Sequence, residues 1–168
     1  IITDAIYMGS CVDSEDNGVP SNYADGDDDN NSGPPGLNIP ASQACNNDED
    51  GVINPADLSF QDGAVDQTVT IKVNNNSSNV ATLSGWIDFS CNGSFDLSER
   101  VQRVVSGSFS GNVELNFSAP LPRNTACPSG DMVTYSRFRL SSDGAAQNPT
   151  GAAWDGEVED HQIGRAHV

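Results

Sequence analysis

The chain has 168 residues, with 24 acidic side chains against seven Lys and Arg, for a net charge of −17. That length carries one domain with a real core, and the charge excludes nucleic acid as a partner because phosphate recognition needs a basic surface. No apolar run approaches the roughly 20 residues that cross a membrane, and divalent cations are the natural counter-ions of so acidic a surface.

Residues 1–57 read as a loop-rich segment. The stretch "DSEDNGVPSNYADGDDDNNSGPPG" is dense in turn formers and poor in apolar residues. Ahead of it, "IITDAIYM" is apolar and strand-like. It is expected to be either the first edge strand of its own domain or a strand donated to a neighbouring copy. No leader segment is visible, and Ile1 reads as the start of a processed chain or of an excised fragment.

From residue 58 onward the chain is strand-rich. "TVTIKV" alternates, with Val69, Ile71 and Val73 on one face. "NNNSSN" follows as a turn. "ATLSGWIDF" turns Leu83, Ile87 and Phe89 inward, and "NVELNFSAP" does the same with Val113, Leu115 and Phe117. "MVTYSRFRLSS" and "EVEDHQIG" are two further strands. "RVQRVVSG" is open between a helical turn and a strand. No segment sustains a 3.6-residue period. Short alternating strands between Gly, Asn, Ser and Pro turns predict an all-β fold, an antiparallel β-sandwich of jelly-roll or Ig-like type, as one domain over 1–168.

Two twelve-residue stretches carry the spacing of a calcium loop, with oxygen donors at alternate positions and a glycine sixth. In 88–99 the side chains of Asp88, Ser90, Asn92 and Asp96 would face the ion, Ser94 would offer its carbonyl, and Glu99 would close the site. Phe95, eighth, would anchor the loop on the core. In 46–57 the equivalent residues are Asn46, Asp48, Asp50, Val52 (by its carbonyl), Asn54 and Asp57, with Ile53 as the apolar eighth. Neutral Ser90 and Asn92 predict modest affinity, suited to a calcium-rich exterior. The other reading of both stretches is an Asx-rich turn satisfied by its own backbone. Asp155, Glu157, Glu159 and Asp160 form a third acidic group. Glu157 and Glu159 share one strand face, and the group either meets a cation, shared with the Asp48–Asp50 loop, or pairs with Arg137 and Arg139.

The four cysteines, Cys11, Cys45, Cys91 and Cys127, include no C-x-x-C pair, which argues against a zinc or thioredoxin-type site. An even count in an acidic Ser/Asn/Gly-rich chain points to two disulfides and an oxidising compartment. Three pairings are possible. Cys11–Cys45 with Cys91–Cys127 is the favoured set, and four buried thiols are the alternative.

Together the motifs resemble the GEVED domain. The naming string stands at Gly156-Glu157-Val158-Glu159-Asp160, preceded by "PTGAAWD". "DEDGV" stands at 48–52, "GWIDFSCNGSF" at 85–95 and "RFRLSSD" at 137–143. Departures are His161 where a tyrosine commonly follows, Asn92-Gly93 in place of Asp-Gly, and a loosely matching opening at 16–27. The resemblance implies a module of secreted or surface-anchored bacterial proteins, non-catalytic and extracellular. Both histidines lie in the last eight residues, and neither G-x-S-x-G nor H-E-x-x-H occurs. Glu157 and Glu159 as a glycosidase pair are the weaker reading. The expected function is a Ca2+-stabilised structural or adhesion module. The alternatives are a filament subunit that exchanges strands with neighbouring copies, and a glycan binder stacking sugars on Trp86, Trp154 or Tyr23.

Overall fold

The computed structural model describes residues 5–10, 50–61, 66–118 and 133–166. Among these there is no α-helix. Eight strands form two sheets: β1 (Ile6–Met8), β2 (Phe60–Gln61), β3 (Gln67–Asn75), β4 (Ala81–Ile87), β5 (Arg100–Val105), β6 (Phe109–Phe117), β7 (Val133–Ser141) and β8 (Glu157–Ala166). One sheet has the order β1-β3-β6, the other β2-β8-β7-β4-β5. All pairs are antiparallel except the short β2–β8 pair. The all-β, two-sheet expectation holds. The ambiguous "RVQRVV" is strand β5, paired along its length with β4.

The period-2 pattern sets the layers. Val69, Ile71 and Val73 of β3, Leu115 and Phe117 of β6, and Ile6 and Met8 of β1 project from one sheet. Leu83 and Ile87 of β4, Phe138 and Leu140 of β7, and Ile163 of β8 meet them from the other. Gly85 lies where β4 packs closely on Leu115 of the facing sheet and on Phe138 of its neighbour strand. A Cβ there would stand 2.6 Å from Leu115 Cδ1 and 3.0 Å from Phe138 Cδ1, so the glycine of "GWIDF" is a packing requirement. At the corner after β3, buried Asn75 accepts from Ser77 N and Oγ and donates to the carbonyls of Asn79 and Ser106. One amide thereby ties the turn after β3 to the turn between β5 and β6.

The segment "IITDAIYM" supplies β1, and it pairs with β3 of its own chain, Ile6 opposite Asn75 and Met8 opposite Val73. Of the two expectations for this stretch, the edge strand of its own domain is the one observed. The same edge of β3 continues through Val52, which bridges Ile71. No helix among the described residues is long and apolar enough to cross a membrane.

Trp86 departs from the core. It is fully buried, yet it points to the opposite face of β4 from Leu83 and Ile87, away from the apolar cluster. Segment 142–156, which includes the short 3-10 turn Gly144–Gln147, connects β7 to β8 and is hydrogen-bonded to arginines of that outer face. As a sugar-stacking platform Trp86 is excluded by its burial. Tyr23 lies outside the described residues.

Candidate functional site: a carboxylate-knit loop and motif junction

The twelve residues 88–99 form the connection between β4 and β5, which are neighbours in one sheet. The oxygen-rich spacing is therefore a long hairpin loop. Its base is fixed to β7. Asp88 N donates to Tyr135 O at 3.0 Å, and the Thr134 hydroxyl donates to Asp88 O. Phe89 is buried and meets Phe117 edge-on at 6.1 Å.

Inside the loop the carboxylates accept from backbone amides. Asp88 Oδ1 accepts from Asn92 N at 3.1 Å and Oδ2 from Gly93 N at 2.9 Å. These are the fifth and sixth positions folding onto the first. Gly93 has φ +77°, a conformation glycine adopts without strain. Glu99, buried at the far end, accepts from Ser90 N at 2.9 Å through Oε1 and from Asp96 N at 3.0 Å through Oε2. Asn92 donates to Asp96 Oδ2 at 3.0 Å and accepts from Ser94 N at 2.8 Å. The Ser90 hydroxyl donates to Asp88 Oδ1. Phe95 takes a different place from the one its eighth position predicts. It packs against the Arg137 guanidinium, 5.5 Å from the ring centroid, and Phe89 anchors the loop in the core instead.

In the second stretch, 46–49 (Asn46 and Asp48 among them) lie outside the described residues. The rest spreads its acids apart in function. Asp50 accepts from Ser10 N at 2.9 and 3.0 Å. Asp57 accepts from Asn54 Nδ2 at 2.9 Å and from Thr70 N at 3.3 Å. Asn54 caps the 3-10 turn Pro55–Leu58 through Ala56 N. Val52 is buried and Ile53 exposed, the reverse of what the eighth-position rule predicts.

The GEVED string joins this edge from β8. Glu157 accepts from Met8 N. Glu159, with none of its surface exposed, accepts from Gly51 N at 3.0 Å and lies 3.3 Å from His161 Nε2. Burial pushes the Glu159 carboxyl above its ordinary value, against the His161 and Gly51 contacts that lower it. Asp160 projects to the other face and pairs with Arg137 in fork geometry, Nε to Oδ1 at 2.7 Å and Nη2 to Oδ2. Of the two expectations for Asp160, pairing with Arg137 is what the structure holds. Arg139 does not follow suit. It donates to the carbonyls of Asn148 at 2.6 Å and Gly151 at 2.8 Å. Burial, then the neighbouring Arg137, draws its pKa below the ordinary value.

Segment 142–156 acts as a strap that no sequence pattern announces. Arg137 Nη1 also donates to Pro149 O and Arg100 Nη1 to Gln147 O. Three arginines thus bind four carbonyls of segment 142–156 and hold it over the sheet. Asp155 pins the other end through Ser141 Oγ and Ser142 N and Oγ. Burial acts to raise the Asp155 pKa, but these hydrogen bonds outweigh it and hold the carboxyl below its usual range.

The donor chemistry of 88–99 is that of a hard cation: Asp88, Asp96 and Glu99 with the Asn92 amide and the Ser90 hydroxyl, all oxygen. Each carboxylate oxygen named in an amide contact keeps lone-pair capacity beyond it. Among the described residues, however, no three Asp, Glu, His or Cys side chains converge as a metal-holding group. Cys91, with φ +53°, is not a free thiol. Cys11, Cys45 and Cys127 lie outside the described residues.

These features define a two-sheet β module whose connections are closed by carboxylate-to-amide bonds. Residues 82–164 match the GEVED domain family, and the chain carries a GEVED domain there. The match spans "GWIDF", "RFRLS" and "GEVED". "DEDGV" at 48–52 precedes it in sequence, and its Gly51 is bonded to Glu159 of the GEVED strand. No curated protein matches the chain.

Proposed function

We propose that this chain is a non-catalytic, calcium-stabilised module of an extracellular bacterial surface or secreted protein, serving as a rigid structural or adhesive unit. The observation that carries the reading is the fold of 88–99. Asp88 gathers the amides of the fifth and sixth residues, so the oxygen-bearing positions already lie on one tight loop joining two strands of a sheet. When bound there, calcium would supply positive charge to a loop with three carboxylates and no lysine or arginine. Asp88, Asp96 and Glu99 would hold it, with Asn92, Ser90 and the Ser94 carbonyl completing the shell. Binding to the folded state alone adds stability by linkage. The high acid content supports an exterior setting, as does Cys91, which is not a free thiol.

The test is a thermal melt of the full chain in calcium and in chelator, with calorimetric titration of the chelated protein. A clear fall in Tm with chelator, reduced in Glu99→Gln, is expected. Equal melts together with no heat of binding would overturn the reading. A second reading, glycan binding, is favoured among the described residues by Trp154. It is 79 % exposed, and its backbone N–H donates to Asp143 Oδ2 at 3.0 Å. Assembly by strand exchange gains no support, because Ile6–Met8 is already paired within its own chain.

A further inference from the structure

The loop 88–99 contains an Asn-Gly pair, Asn92-Gly93. Glycine is there because the backbone has φ +77°. A Cβ would meet nothing within 4 Å, so conformation, not crowding, selects it. That choice has a chemical cost. Next to an unhindered glycine amide, an asparagine side chain is open to intramolecular attack. The glycine nitrogen, having lost its proton to hydroxide, bonds to the asparagine Cγ. The Cγ–Nδ2 bond breaks and ammonia leaves, giving a cyclic imide. Water then opens the ring at either carbonyl, to aspartate or to isoaspartate. No oxidant or cofactor is needed.

We infer that Asn92 is a deamidation site held in check by Asp88, and that opening of the 88–99 loop releases it. The geometry blocks each part of the reaction. The attacking Gly93 N–H is donated to Asp88 Oδ2 at 2.9 Å. A carboxylate on that hydrogen disfavours its removal, since the anion formed would face another negative charge. The bond also directs the nitrogen at Asp88. The leaving group is tethered separately, Asn92 Nδ2 to Asp96 Oδ2 at 3.0 Å, and Asn92 Oδ1 accepts from Ser94 N at 2.8 Å. Asn92 itself is exposed, so water and hydroxide reach it freely, and protection rests on these bonds. The reaction puts a carboxylate at the fifth position of the loop, and the isoaspartate product adds a methylene to the backbone between Asp88 and Gly93. Each opening event therefore risks a permanent change in the segment that joins β4 to β5.

The inference rests on hydrogen bonds of the loop alone, so the test is run in chelator to keep it separate from the calcium reading. The full chain is incubated at mildly alkaline pH, native and in urea, and conversion at Asn92 is followed by peptide-mapping mass spectrometry. Native protein should convert about tenfold more slowly or better, the ratio set by a minor open population. Folded Asp88→Ala should convert near the urea rate, with Asp88→Asn between. Equal rates for native and unfolded chain, or full protection in folded Asp88→Ala, would overturn it. Should Asp88→Ala not fold, exchange of the wild-type Gly93 amide decides. Exchange and deamidation rising together across low urea supports the guard. A freely exchanging Gly93 amide beside an intact Asn92 refutes it.

Discussion

The backbone N–H of Gly51 donates to Oε1 of Glu159 at 3.0 Å, across 108 positions of sequence, and there is no room for a side chain between them. A Cβ on Gly51 would stand 2.6 and 2.7 Å from the two Glu159 oxygens and 2.8 Å from Met8 Cβ. Gly51→Ala should therefore force the buried carboxylate off its donor. Overpacking and a lost hydrogen bond to a charged group together cost about 2–4 kcal/mol. Urea unfolding would measure it. A change below about 0.5 kcal/mol, the range of surface substitutions, would show that the contact is not held in solution.

Glu159 also sets the response to acid. Burial raises its pKa above the ordinary 4.5, the nearby Asp50 charge acts the same way, and the His161 and Gly51 contacts act against it. A carboxyl that binds its proton more tightly folded than unfolded contributes stability in the protonated form. That contribution is complete below 4.5 and is lost as pH rises through the folded value. Asp155 is the opposite case, with its pKa held below the ordinary 3.8. Its contribution is complete above 3.8 and is lost as pH falls through the folded value. The two windows do not overlap. Tm should rise as pH falls toward the mid-fours and then fall. Glu159→Gln should flatten the first limb and leave the second. An unchanged first limb would remove Glu159 as its source.

Much of the fold was legible because burial follows a period of two. Val69, Ile71 and Val73, and again Leu115 and Phe117, are fixed by alternation alone. The site was legible only in part. Spacing locates 88–99 as one closed loop, since Asp88, Gly93 and Glu99 act within twelve residues. It cannot say that Phe95 leaves the core for Arg137, because a guanidinium platform depends on β7 packing beside the loop. Nor can it find the strap, whose acceptors are backbone carbonyls of Gln147, Asn148, Pro149 and Gly151 and leave no trace in side-chain identity. The meeting of Gly51 with Glu159 is a sheet-edge event set by β1 and Val52 lying along β3.

Arg137 links three elements at once: Asp160 on β8, Pro149 in the strap and Phe95 in the hairpin loop. Its partner carboxylate is as buried as it is, with side-chain exposures of 7 % and 5 %. Lysine keeps the charge but cannot form the fork. Arg137→Lys should cost about 1–3 kcal/mol, and Arg137→Ala about 3–5 kcal/mol because Asp160 is left buried and unpaired. Hydrogen exchange gives a more specific check. Amides of 148–156 should lose protection in Arg137→Lys while those of β3 and β6 keep theirs. Uniform loss across both sheets would mean that the arginine holds the whole sandwich and not the strap.

The two tryptophans offer the sharpest contrast between outer-face packing and exposure. Trp86 is fully buried, and its Nε1 has no hydrogen-bond partner among the described residues, whereas Trp154 is 79 % exposed on the strap. Trp154→Phe should leave a single blue-shifted emission that resists acrylamide, and stability within about 0.5 kcal/mol of wild type. Trp86→Phe should leave a red-shifted, readily quenched emission. It should also lose about 1–3 kcal/mol: the smaller ring leaves packing space against segment 142–156, and no hydrogen bond is forfeited. Should Trp154 prove the quench-resistant one, the strap does not lie over β4 as described, and the burial of Trp86 needs another cover.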